Sequence, residues 1–377
     1  MDHSKKILIL YASAGHGHEK AAKGLKEAFE GLADGVEAEE LDTLSLATPF
    51  FGNLYRQMYL LQIKYIPWMW GIFYYSFDVP WIYFFIKRVR RILNSVTARN
   101  LEKFLIAKDP DVILATHFTG IEVAGFLKEK KKIHSKIVSV VTDYLPHFVW
   151  MAGEVDTYAV AIQETKDGLV ERGVLPEKVR VTGIPIEGKF SKQCPKEAFI
   201  AKWGLEKGKF TVLVTSGGSG IGAMRTLVEG LLDLNKPLQI LAVCGTNQRL
   251  FAELDARSRK NTELKVFGFV DNMEEFMEAS DIVVGKGGGL TITESFSKGK
   301  PVILFRSIPG QEKRNALCVE RYHAGFAADS AEAIVKKVAE LMENPESLRR
   351  MKEGVHRMAQ ANSAKNIATW VKNGLIG

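Results

Sequence analysis

Residues 5–22 read KKILILYASAGHGHEKAA, an apolar run, a glycine turn and the opening of a helix. The run at 7–11 has the length of a buried strand, and Gly15 and Gly17 let the backbone turn closely into a helix starting near His18. Working outward, the same alternation continues along the chain. Further strand candidates stand at 36–41, 112–116, 137–142, 157–161 and 179–182, and then at 210–215, 238–244, 264–268, 282–284 and 301–305. Short apolar runs alternating with helical patterns mark parallel sheets wrapped by helices, so the fold class is α/β.

The 377 residues suit two domains at about 150 each, and 46% hydrophobic with 25% charged residues is an ordinary globular balance. Residues 183–210 are rich in Gly, Pro and Lys and poor in strand pattern, which places a junction there. The expected domains are 1–188 and 189–355. Leu348, Met351, Val355 and Met358 recur at helical spacing in the tail, and a C-terminal helix over 356–377 is expected to pack back on the first domain.

The net charge is +7, and residues 50–91 supply +5 of it through Arg56, Lys64, Lys87, Arg88, Arg90 and Arg91 against Asp78. The same stretch, up to Phe85, holds 15 of the 37 aromatic residues. Basic and aromatic residues together are the composition of a lipid headgroup boundary rather than of a polar groove for nucleic acid, so anionic membrane lipid is expected and nucleic acid is not. The longest uncharged piece, 65–77, is 13 residues and contains Pro67 and Gly71, whereas spanning a bilayer takes about 20. The segment is therefore read as lying in a membrane surface. Its alternative is a core-lining hairpin.

Cys194, Cys244 and Cys318 stand far apart with no Cys/His cluster, so neither a metal site nor a disulfide framework is expected. The N-terminal apolar run has no cleavage site behind it and is read as a first strand, not a signal peptide, which points to the cytoplasm.

Two more glycine turns follow strands in the second half: SGGSGIGAM at 216–224 and GKGGGLTITES at 285–295. Each opens a helix, whose free N–H groups suit an anion such as a diphosphate, and Glu294 stands close enough to take sugar or ribose hydroxyls. None of the turns is a dinucleotide fingerprint, since Lys20 stands where a third glycine would follow Gly15 and Gly17. No Gly-Lys pair continues with Ser or Thr, so there is no P-loop.

Together AGHGHEKAA (14–22), VTDYLPHFVW (141–150), VRVTGIPIEGKF (179–190), the stretch 268–295 and PGQEKRNA (309–316) resemble one family. The chain is similar over nearly its whole length to the lipid glycosyltransferases related to plant monogalactosyldiacylglycerol synthase and bacterial processive diacylglycerol glucosyltransferases. These are relatives of the peptidoglycan N-acetylglucosaminyl transferase.

The resemblance implies a GT-B fold, two Rossmann-like domains facing across a cleft, with the acceptor in the first and a UDP-sugar in the second. It implies inverting transfer without a bound metal or other cofactor, the diphosphate being met by backbone amides and helix N-termini. It makes His18 the candidate base, with Asp143 left open between orienting His18 and acting as the base itself. His147 and Trp150, from the T-D-x-x-x-H-x-x-W pattern, fall on the acceptor side, and Trp68, Trp70 and Trp81 in the membrane-docking insertion. Donor contacts fall on Gly17, Gly218, Ser219, Phe269, Val270, Gly288, Gly289, Leu290, Thr291, Glu294, Gln311, Glu312 and Asn315. The chain departs from the family at His16, where relatives carry glycine, and at Gly287, where they carry proline.

The expectation is a peripheral enzyme on the inner face of the cell membrane that moves glucose or galactose from a UDP-sugar to diacylglycerol. The alternatives are another lipid or small-molecule acceptor, a UDP-sugar epimerase, or a non-catalytic nucleotide-sugar-binding membrane protein.

Overall fold

The structure, a computed structural model, describes residues 4–13, 15–32, 35–46, 66–151, 154–215, 224–305, 307–360 and 362–376. It divides into two compact units, one of residues 1–188, 308–311 and 360–377 and the other of 189–307 and 312–359.

The first unit holds a six-stranded parallel sheet of β1 (Lys5–Tyr11), β2 (Val36–Asp42), β3 (Val112–Ala115), β4 (Lys136–Val140), β5 (Thr157–Val160) and β6 (Val179–Val181), ordered β2-β1-β3-β4-β5-β6. Strand β1 shows why the apolar runs are unbroken. Ile7 and Ile9 point to one face and pack with Ala22, Leu25 and Phe29 of the helix His16–Glu30 and with Ile367, Ala368 and Val371 of the terminal helix Ser363–Leu375. Leu8 and Leu10 point to the other and pack with Leu101, Leu105, Ile121 and Ala124. Both faces are covered, so every residue of the strand core is apolar. Each such fully buried Leu or Ile contributes about 1.5–3 kcal/mol.

The second unit repeats the plan with β7 (Phe210–Thr215), β8 (Leu238–Val243), β9 (Leu264–Phe267), β10 (Ile282–Gly285), β11 (Val302–Phe305) and β12 (Gly325–Ala328). These are again parallel, in the order β12-β11-β10-β7-β8-β9. Strand β12 has no counterpart among the sequence-read strands. Its GFAA is short, lacks β-branched residues and is only half-buried at the sheet edge, so it leaves no pattern.

In each sheet the strand order reverses once, between β1 and β3 in the first and between β7 and β10 in the second. Loops leaving the carboxyl ends of those strands diverge, which opens a crevice where parallel α/β sheets bind ligands. The 14–22 turn follows β1, and the turns at 216–224 and 285–295 follow β7 and β10. The strands that precede all three glycine turns thus border switch points.

Candidate functional site

The helix behind the first turn begins at His16, two residues earlier than the sequence reading, with extended Gly15 as its N-cap. His18 is therefore its third residue, inside the first turn. Its Nδ1 lies 2.6 Å from the carbonyl oxygen of Thr116, just beyond β3, with Thr142 Oγ1, beyond β4, 3.3 Å from the same nitrogen. The His117 ring meets His18 edge-on at 4.8 Å, and the Trp150 ring lies 6.4 Å away.

A carbonyl can only accept, so Nδ1 carries the proton and Nε2 keeps its lone pair as an acceptor. Burial pushes the pKa down to about 4, the bond to Thr116 opposing it only in part. At neutral pH the ring is an uncharged base with one fixed tautomer.

Asp143 accepts a hydrogen bond from the indole Nε1 of Trp150 at 3.1 Å. The proton on His18 Nδ1 is thus held by a backbone carbonyl, while Asp143 holds an indole. His147 and Trp150 are both buried, at 1% and 2% exposure. His147 Nδ1 accepts from the Val149 N–H at 3.0 Å and Nε2–H donates to the Tyr74 carbonyl at 2.9 Å, so both ring nitrogens are engaged in holding this loop.

Tyr74 belongs to the helix Pro67–Phe77, which packs with Pro80–Thr97 as a hairpin. One side of the pair is pinned to the first unit. Asp78 accepts from the Phe148 N–H at 3.1 Å and pairs with Arg172 at 3.2 Å, while Tyr83 OH donates to the Met151 carbonyl at 3.1 Å. The other side is bare: Trp68, Ile72, Phe73, Tyr75, Trp81, Phe84 and Phe85 are all exposed, Trp81 and Phe84 by three quarters. Arg88 is exposed beside them, and Trp70 is half-buried. Sequence could not choose between a core hairpin and a lipid-facing one; the hairpin is anchored through Tyr74 and Tyr83 and leaves a broad aromatic face uncovered. Residues 50–65 of the aromatic stretch lie outside the described residues.

In the second unit, Gly288 is the N-cap of the helix Gly289–Ser297, which carries Leu290, Thr291 and the 4%-exposed Glu294. Glu312 and Asn315 stand on the helix Gln311–Arg321, whose first residue, Gln311, is counted with the first unit. Asn315 Nδ2 donates to the Gly287 carbonyl at 3.0 Å, tying that helix to the glycine turn. A Cβ on Gly287 would stand 2.6 Å from the Glu312 carbonyl oxygen, so this close approach requires glycine here. Phe269 is 69% exposed just beyond β9, and Val270 is half-buried next to it. Gly17 lies in the helix opening of the first unit. Gly218 and Ser219 lie outside the described residues.

Thr116, His117, Thr142 and Lys286 escaped the sequence reading. Each directly or nearly follows a parallel strand, and that placement was the available signal. Among the described residues no group of three or more His, Cys, Asp or Glu side chains is arranged to hold a metal ion.

Residues 18–186 match the family described as monogalactosyldiacylglycerol (MGDG) synthase, and residues 211–369 the glycosyltransferase family 28 C-terminal domain. A processive diacylglycerol beta-glucosyltransferase of Bacillus pumilus is 33% identical over 97% of this chain and 94% of its own, and one of Bacillus subtilis 31% over the same shares. Among solved structures, MurG of Acinetobacter baumannii superposes with a TM-score of 0.65 at 15% identity, covering 98% of this chain and 99% of its own. That likeness shows the fold, GT-B with two Rossmann-like domains. With both halves matched and these relatives aligned over nearly the full length, the chain belongs to the glycosyltransferase family of the MGDG synthases and processive diacylglycerol beta-glucosyltransferases.

Proposed function

We propose that this protein transfers glucose from UDP-glucose to the free hydroxyl of diacylglycerol with inversion at the anomeric carbon, working as a peripheral protein on the cytoplasmic face of the cell membrane. The observation that carries the reading is the His18 ring, whose Nδ1–H is held by the Thr116 carbonyl at 2.6 Å so that Nε2 is free of its proton at the carboxyl edge of the first sheet. The relatives' name supplies the acceptor and the sugar.

The first unit takes the lipid and provides the base; the second takes the donor. The acceptor oxygen attacks the anomeric carbon, the bond from that carbon to the diphosphate breaks with its electron pair staying on the diphosphate, and the acceptor proton passes to His18 Nε2. Asp143 keeps the indole of Trp150, and through it the wall beside His18, in place. On the donor side, Phe269 and Val270 border the uracil, Glu294 takes the ribose hydroxyls, and Gln311, Glu312 and Asn315 contact the sugar and phosphates. Gly218, Ser219, Gly288, Gly289, Leu290 and Thr291 offer backbone amides to the diphosphate, the arrangement in which helix N-termini bind anions without a cation. The bare aromatic face beside Arg88 rests in the headgroup boundary of an anionic leaflet.

The anomeric configuration of the product tests this. Because the glucosyl group of UDP-glucose is α-linked, the new glycolipid should be the β-anomer by proton NMR, with turnover undiminished in EDTA; an α-linked product, or loss of turnover restored by a divalent cation, contradicts it.

A further inference from the structure

The turn after β10 contains a charged side chain that the mechanism above does not use. Lys286 follows Gly285 at the carboxyl end of β10, the strand that borders the switch point of the second sheet. It is half-buried, and desolvation lowers its pKa from the ordinary lysine value while the Glu312 charge partly restores it. Among the described residues no hydrogen bond or ion pair to its ammonium is found.

A second polar atom beside the same turn is also unsatisfied. Ser307 Oγ, in the loop after β11, is buried with no hydrogen-bond partner among the described residues, and it stands 3.1 Å from where a Cβ on Gly287 would be. The openings of the helices Gly289–Ser297 and Gln311–Arg321 flank the turn, joined by the bond from Asn315 to Gly287. A partly desolvated cation and an orphaned buried hydroxyl each cost free energy unless a ligand satisfies them. Glu312 attracts the lysine electrostatically but leaves the hydroxyl without a partner.

We propose that Lys286 and Ser307 bind the diphosphate of the donor, Lys286 taking up the negative charge that develops on it as the bond to the sugar breaks. The proposal rests on the UDP-sugar reading. When the electron pair of the breaking bond moves onto the diphosphate oxygen, the ammonium beside it stays protonated and its attraction grows, which favours the transition state over the bound substrate. Ser307 donates its hydroxyl proton to a phosphate oxygen as an ordinary hydrogen bond. Serine is neutral, so its share is the smaller.

Calorimetric binding of UDP and of uridine to the full chain, beside transfer kinetics, tests this. Lys286→Ala is expected to weaken UDP binding by about 10- to 100-fold, leave uridine binding within about 3-fold, and lower kcat more than it raises KM. Lys286→Arg should recover most of the UDP affinity, and Ser307→Ala should cost UDP about 3- to 10-fold. A folded Lys286→Ala protein that binds UDP as the unaltered protein does would overturn the proposal and leave Lys286 as a partner of Glu312 alone. Equal losses for UDP and uridine would overturn it too, as a structural effect. Failure of the unaltered protein to bind UDP at all would instead remove the UDP-sugar reading beneath it.

Discussion

Replacing His18 by alanine is expected to lower kcat by about 10²- to 10⁴-fold, the range a general base supplies, while UDP affinity changes little. The alanine removes the ring that donates to the Thr116 carbonyl, and most of the proposed donor contacts, Glu294, Glu312 and Asn315 among them, belong to the other unit. His18→Gln separates positioning from base action. Its amide can still donate to Thr116 but cannot take up a proton, so it should be as slow as alanine. The pH profile adds a second reading. With the pKa lowered to about 4 by burial, the neutral ring is present throughout the range above, so kcat/KM should stay level from pH 8 to about 5 and fall only near 4. An ordinary histidine would fall through about 6.5. The same depression acts on stability. Between about 6.5 and 4 the unfolded chain takes up a proton at residue 18 that the folded chain refuses, so stability should decline as pH falls through that window, and His18→Ala should remove this component. Undiminished turnover in the alanine variant would contradict the role of His18.

The second large effect concerns the aromatic face. Trp68, Trp81 and Phe84 are 63%, 75% and 78% exposed and lie on the two helices of the hairpin, so removing them leaves the anchored side with Tyr74, Tyr83 and Asp78 intact. If each ring enters the headgroup boundary, burying it contributes on the order of 1 kcal/mol or more. The triple alanine variant should then bind anionic vesicles at least about 100-fold more weakly. Its thermal unfolding should be nearly unchanged, because the lost groups touch water and not the core. Turnover on a dispersed short-chain diacylglycerol should survive. Flotation with vesicles equal to that of the unaltered protein would show that the face serves some other purpose.

The parts of this picture differ in how openly the sequence displays them. The central strands β1, β3 and β10 are nearly unbroken apolar runs because parallel sheets covered on both faces demand them, and β1 shows this with Ile7 and Ile9 packed in one core and Leu8 and Leu10 in the other. Strand β12 is silent because a half-buried edge asks for little apolar bulk. His18 is conspicuous directly behind the glycine turn, but its tautomer is fixed by a carbonyl 98 residues away, and no local pattern encodes that pairing. The hairpin is similar. The run IPWMWGIFYYSF is apolar on every side, and which side is held depends on His147, Phe148 and Met151, some seventy residues on. Lys286 hides among glycines whose conformational role draws the attention.

The most direct test of the central claim is incubation of the purified protein with diacylglycerol in anionic vesicles and a panel of UDP-sugars, followed by mass analysis of the lipid. Formation of a hexosyl-diacylglycerol from UDP-glucose, absent with His18→Ala, is the result expected. No new lipid with any UDP-sugar, from protein that binds UDP, would contradict the assignment of diacylglycerol as acceptor.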